Sequence, residues 1–249
     1  MIDRADEMTG APAHRAVDDA DPSSRQRWAR LAGFLYLATN ATAIFAFSVS
    51  GQFIVRNDPM QTAANIAASE SLFRIAVAGE LVTIAGVVAL IVALYVVLKQ
   101  VGRNLALLAA FWRLMENCIL AVLTFTSFTA LALLGGGNYL QPMDAQQSQG
   151  LMFTLLRVHS YGFQVGFLFL GLGSALFSYL WLKSRYIPRW LAVLGLFASL
   201  VMAVVALGII VWPGLYGVVT MAYMAPMGIY EIGLGLWLLV KGIRLPAVE

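Results

Sequence analysis

Cysteine is almost missing from this chain. Cys118 is the one thiol in 249 residues and lies inside an apolar run, so no intrachain disulfide can form. Histidine is nearly as scarce: of the two present, His14 sits in a polar N-terminal stretch and His159 in an apolar segment. That supply argues against a histidine-rich metal site or a bis-histidine haem site, so neither metal nor cofactor is expected. Charge is thin as well, with 12% of residues charged against about 25% in soluble domains. Several chemical signatures are absent: no zincin His-Glu pair, no Gly-rich phosphate loop, no Gly-x-Ser-x-Gly nucleophile elbow and no aspartate-rich diphosphate motif. The formal charge of +3 comes without a basic-aromatic stripe, so no nucleic-acid partner is expected.

What the chain has instead is hydrophobicity in long blocks. Apolar residues make up 60% of it and the mean hydropathy is +0.79, outside the soluble range. The blocks predict an all-α fold, a membrane bundle of about six transmembrane helices. They run from about Arg30 to Ser50, Leu72 to Leu98, Asn104 to Leu134, Leu151 to Leu182, Trp190 to Trp212 and Val218 to Val240. Lys and Arg gather before the first block, between the second and third, between the fourth and fifth, and after the sixth, which predicts cytoplasmic termini. Residues 1–28 mix acids with arginines and lead into a full-length span, so they read as a disordered cytoplasmic tail rather than a signal peptide. Residues 29–244 form the transmembrane domain and 245–249 a short C-terminal tail. Of the outer connections, Asp58 to Ser71 reads as a short amphipathic surface helix and Gly135 to Gln149 as a Gly- and Gln-rich loop.

Six ionisable residues interrupt the blocks: Glu80, Arg113, Glu116, Arg157, His159 and Glu231. A charge at the centre of a spanning helix costs roughly 2.5–3.5 kcal/mol, so these groups need one another, water or a ligand. Arg113, Glu116 and Asn117 fall at i, i+3 and i+4 on the third helix, with Thr124 continuing the stripe. Arg157, Ser160, Tyr161 and Gln164 share one face of the fourth, while His159 points elsewhere. Glu231 stands about thirteen residues into the sixth helix, beyond a kink expected at Pro226. Four helices can thus converge on one buried polar site. Glu116, Glu231, Glu80 and His159 are its candidate acid–base groups; Arg113, Arg157, Asn117, Tyr161, Gln164 and Trp112 are candidate substrate-binding residues. The plainer alternative is a closed network, such as Arg113–Glu116 with Arg157–Glu231, that only holds helices together. Tyr36 and Asn40 on the first helix read as packing or interfacial residues.

The stretches Arg30-Leu-Ala-Gly-Phe-Leu-Tyr36, Phe73-Arg74-Ile with Glu80-Leu-Val, Trp112-Arg113-Leu-Met-Glu116, His159-Ser-Tyr-Gly-Phe163 and Glu231-Ile-Gly-Leu-Gly-Leu-Trp237 carry a resemblance. In this order they resemble the bacterial integral membrane proteins catalogued as domain of unknown function 4386. The resemblance implies a multi-pass protein of the bacterial cytoplasmic membrane and carries no activity with it.

Three functions fit the residues. The first, and the one favoured, is an intramembrane enzyme using acid–base chemistry on an isoprenoid or other lipid, such as protonation-initiated isomerisation or terpene-type cyclisation. Glu116 or Glu231 would act as the acid and aromatic faces would stabilise a cation. The second is a small-solute or proton-coupled transporter, for which a homo-oligomer would supply the second half that six helices without an inverted repeat lack. The third is a non-catalytic sensing or assembly module. Membrane lipids and a lipophilic small molecule are the expected partners.

Overall fold

The computed structural model describes residues 22–55, 57–134, 144–219 and 222–244. The segments 1–21 and 245–249, where the sequence predicts tails, and the loop core 135–143 lie outside the described residues. Among the described residues every element is helical: α1 (Pro22–Phe53), α2 (Pro59–Ala68), α3 (Glu70–Leu134), α4 (Ala145–Ser184), α5 (Arg189–Val211), α6 (Leu215–Val219) and α7 (Ala225–Val240), with a 3₁₀ turn at Ala222–Met224 before the last. Five helical stretches are long and apolar enough to cross a membrane, namely α1, α3, α4, α5 and Ala222–Val240.

The helix α3 has 65 residues. As a straight rod it would run roughly 100 Å, about three times the thickness of a bilayer's hydrocarbon core. It breaks at Gly102, where φ is −175° and ψ is 90°, into arms 70–101 and 103–134. Asn117 Nδ2 donates to the Ile84 carbonyl at 2.9 Å and Thr124 Oγ1 to Glu80 Oε2 at 3.5 Å. Both pairs sit at nearly equal distances on either side of Gly102, so the arms fold back as an antiparallel hairpin. This hairpin packs against α1 and α4, and α4 in turn against α5.

Close helix crossings fix the remaining geometry. A side chain at Gly33 on α1 would strike the backbone of Gly235, Leu238 and Leu239 on α7, and one at Gly235 would meet Tyr36 and Leu37. Small residues at such crossings let backbones approach without a hydrophobic driving force from water. Where the start of α1 meets the end of α7, Gln26 Nε2 donates to the Lys241 carbonyl at 3.3 Å and its Oε1 accepts from Ile243 N at 3.1 Å. Arg25 Nη1 donates to Tyr186 Oη at 3.2 Å, tying the start of α1 to the α4–α5 link as well.

The apolar core divides in two. One cluster includes Tyr36, Leu90, Leu94, Ala109, Leu170, Phe177, Met202, Tyr230 and Leu234. The other gathers Val49, Phe53, Ile66, Phe73, Val77, Leu131, Met152 and Leu156 at the opposite end. Between them α1, both arms of α3 and α4 pass through polar residues. That polar layer contains the candidate site.

Several sequence expectations shift. The helix α1 begins at Pro22, so 22–28 belong to it rather than to a tail. The helix α4 begins at Ala145, because Asp144 accepts from Gln147 N at 2.7 Å while Gln147 Oε1 accepts from Asp144 N, a capping box that ends the Gly/Gln-rich loop early. The expected surface helix exists as α2, capped by Asp58 through Gln61 N at 2.9 Å. Its Thr62, Ala63 and Ile66 are buried against the bundle's outer end. The sixth apolar block is interrupted: α6 and the 3₁₀ turn precede α7, and Pro226 stands in the first turn of α7 instead of kinking a longer helix. Glu231 therefore lies roughly 9 Å into α7, less than half the distance expected.

Candidate functional site

The centre of the polar layer is a pair on the second arm of α3. Arg113 Nη1 and Glu116 Oε2 stand 2.9 Å apart, with the two residues 4% and 5% exposed. Their spacing of i and i+3 brings the two charges together within one turn of the helix as a buried ion pair. Gly173 on α4 makes room for the pair: a side chain there would meet Arg113 Cγ at 2.7 Å and the Ala109 carbonyl at 2.9 Å.

Helices α1 and α7 bring the second carboxylate. Asn40 Nδ2 donates to Glu231 Oε2 at 3.1 Å and to the Tyr36 carbonyl at 2.9 Å. Glu231 acts electrostatically on Arg113 and Glu116, and Tyr36 and Arg113 act on each other, so these groups form one charge cluster. Tyr230, beside Glu231, is buried and accepts from Ser178 Oγ of α4 at 3.1 Å. Gly195 on α5 admits the Tyr230 ring, which a side chain there would overlap.

A second cluster lies further out. His159 Nε2 is 3.2 Å from Glu80 Oε2, the atom Thr124 approaches from the facing arm. The His159 ring meets Phe163 edge-on, with centroids 5.0 Å apart. Counted from Gly102, Arg113 and Glu116 stand roughly 16–21 Å up their arm, whereas Glu80 and Thr124 stand roughly 33 Å up. Measured against a ~30 Å core that starts at Gly102, the first cluster falls at mid-depth and the second near the far boundary. Asn117 and Thr124, both buried, lie between and beyond on the same α3 face as Arg113 and Glu116.

The remaining candidates go elsewhere. Arg157 does not pair with Glu231: its Nη2 donates to Tyr161 Oη at 2.9 Å on its own helix, while Glu231 is held by Asn40. Gln164 is buried and accepts from Tyr223 Oη at 2.8 Å. Trp112 is half-buried next to Arg113. The four helices thus bring their polar residues into two clusters of ionisable side chains and a separate α4 group, not into one site. The spacing on α4 places Arg157 and Tyr161 together as expected. The pair missed by sequence reasoning is Tyr36 and Asn40. Their i, i+4 relation was the available signal, since it puts both on one face of α1. Ser178 carries no such signal, being a single hydroxyl in an apolar stretch.

Among the described residues no group of three or more His, Cys, Asp or Glu side chains is arranged to hold a metal ion. No curated protein and no solved structure matches this chain. One family model does, the one described as "Domain of unknown function (DUF4386)", over residues 31–242. That match takes in α1 from its third turn onward, the hairpin, α4, α5 and α7, and so both polar clusters; the chain belongs to the DUF4386 family of membrane-helical proteins.

Proposed function

We propose that this chain crosses the bacterial cytoplasmic membrane six times, with both termini in the cytoplasm, and catalyses acid–base chemistry on a lipophilic substrate at its mid-depth cluster. Two crossings come from the α3 hairpin, and the inner ends carry Lys99, Arg103, Lys183, Arg185, Arg189 and Lys241. The observation that carries the functional reading is the state of the Arg113–Glu116 pair. It is buried between helices, closed at 2.9 Å, and a second carboxylate, Glu231, acts on both of its members. A clasp that served helix packing alone would need one carboxylate for its one arginine, whereas this cluster holds a second.

The two carboxylates have different neighbours, and that assigns their roles. Glu116 has a fixed cation beside it and serves as the ionised member. Glu231 has a neutral amide donating to one oxygen, which leaves the other to carry and deliver a proton. In an isomerisation Glu231 protonates one alkene carbon, the neighbouring carbon becomes cationic, and an adjacent C–H proton leaves to Glu116. Proton exchange from Glu116 back to Glu231 resets the site, and the substrate keeps its composition. Arg113 stabilises the Glu116 carboxylate before it takes the proton and after it passes the proton on.

A second reading, a proton-coupled carrier, is favoured by one feature: the Glu80–His159 cluster and the buried Asn117 and Thr124 extend polarity from the mid-depth cluster toward the outer boundary. The test of the first reading compares lipid extracts from bacteria expressing wild type and Glu231→Gln at equal inserted levels. A lipid species isomeric with a host isoprenoid or lipid, present with wild type and absent with the variant, is the expected result. Identical extracts together with sidedness-dependent proton flux in proteoliposomes would replace the enzyme with the carrier.

A further inference from the structure

Arg157 has no place in either acid–base cluster. Among the described residues its one hydrogen bond goes to Tyr161 Oη, and no carboxylate is within ion-pair distance. Its guanidinium lies over two rings of its own helix, 5.0 Å from the Tyr161 centroid and 5.9 Å from that of Phe153. These residues sit at i−4 and i+4 from Arg157, so α4 itself holds the planar fork between two aromatic faces. Tyr216 of α6 adds a third ring, 5.6 Å from Tyr161. The clamp fixes the guanidinium plane and leaves Nε and Nη1 unengaged.

Depth defines what such a fork can meet. Arg157 is roughly 39 Å along α4 from Lys183, beyond a ~30 Å hydrocarbon core and at the level of the outer headgroups. Carboxylates and phosphates match a guanidinium in two-point geometry, and at this depth the abundant oxyanion is the lipid phosphate. Tyrosines at the rim suit the same layer, with an apolar ring and a polar tip.

We infer that Arg157, clamped by Phe153 and Tyr161, is a binding site for the phosphate of a lipid in the outer leaflet. Each such cation–headgroup contact contributes ~1 kcal/mol near the surface, equivalent to about a fivefold change in affinity. The site rests on the inside–outside orientation proposed above but not on the catalytic reading, because it is read out by lipid retention.

The full chain, reconstituted in nanodiscs of phosphatidylethanolamine and phosphatidylglycerol, is ejected into a native mass spectrometer and its retained phospholipids are counted. Wild type is expected to retain a phospholipid that Arg157→Gln loses about fivefold more readily. Phe153→Leu, which leaves the cation but removes one face of the clamp, is expected to fall between. Arg27→Gln, which removes an exposed cation from the opposite end of the bundle, is expected to match wild type. Equal retention by wild type and Arg157→Gln overturns the site. Loss confined to Arg27→Gln overturns it by moving the lipid to the inner leaflet. Displacement of the lipid by millimolar inorganic phosphate overturns the lipid assignment in favour of a free-anion site. Circular dichroism at equal helicity guards the comparison against misfolded variants.

Discussion

Glu116 and Arg113 are each other's nearest charge, and that dependence is measurable. Glu116→Gln leaves the Arg113 cation buried without its counter-ion, which should cost about 3–5 kcal/mol of stability. Arg113→Gln combined with Glu116→Gln removes both charges and should regain most of that loss. Unfolding midpoints in a fixed detergent, for wild type, both singles and the double, give the coupling energy. Additive losses would mean the two side chains do not act on one another. Glu80 and His159 stand apart from this pair, with side chains 14% and 12% exposed. Glu80→Gln should cost within about 1 kcal/mol, since interhelical polar contacts in membranes average ~0.6 kcal/mol. At this scale the sequence was readable wherever charges interrupted apolar runs. It was misleading where ordinary polar residues did the positioning. Asn40 looks like packing until α7 is placed against α1, because the chain separates it from Glu231 and no local period links them. Spacing puts Arg157 and Tyr161 on one face of α4, where they bond, and the plainer alternative of an Arg157–Glu231 pair does not form because Asn40 holds Glu231.

Glycines decide how the elements approach one another, and they are not equivalent. Gly173 faces Arg113 and the Ala109 carbonyl, so Gly173→Ala should separate α4 from the second arm of α3 and destabilise by about 1–3 kcal/mol. Gly228, on α7, has nothing within 4 Å of where its side chain would begin, so Gly228→Ala should leave stability unchanged or slightly raised. The contrast is read as the monodisperse fraction surviving a temperature ramp. Equal behaviour of the two variants would contradict the proposed crossing. Gly102 makes a different case: its extended φ of −175° is open to any residue, and an added methyl would meet a flexible Leu180 Cδ2 at 3.1 Å. Gly102→Ala should therefore keep the hairpin. Helix cores were legible from hydropathy, since a membrane imposes a long apolar run on each crossing. Helix ends were less so. Asp144 and Gln147 form a capping box inside what composition marks as loop. Pro226 reads as a kink because the turn at 212–214 and the 3₁₀ turn at Ala222–Met224 leave the apolar run nearly intact, so hydropathy alone does not reveal them.

The bundle is layered along its long axis: an apolar core at the Gly102 end, a polar layer, and a second apolar core against α2. This arrangement emerges from four separate stretches of sequence, each with only one or two polar residues out of place. No window of a single chain reveals it. The proposed orientation rests on Lys and Arg placement and predicts that a fluorescent protein fused after Glu249 glows while a periplasmic phosphatase fused there stays inactive. The central claim is that the mid-depth carboxylates perform chemistry and do not merely bind helices together. Exchanging the partners, as Arg113→Glu with Glu116→Arg, keeps an i, i+3 ion pair on the same turn but moves the carboxylate by one turn of α3. The measurement is the lipid extract of cells carrying this double exchange, at wild-type membrane level and with a wild-type elution profile in detergent. The account predicts loss of the lipid species made by wild type. The same species at wild-type abundance would make the pair a structural clasp and contradict the account.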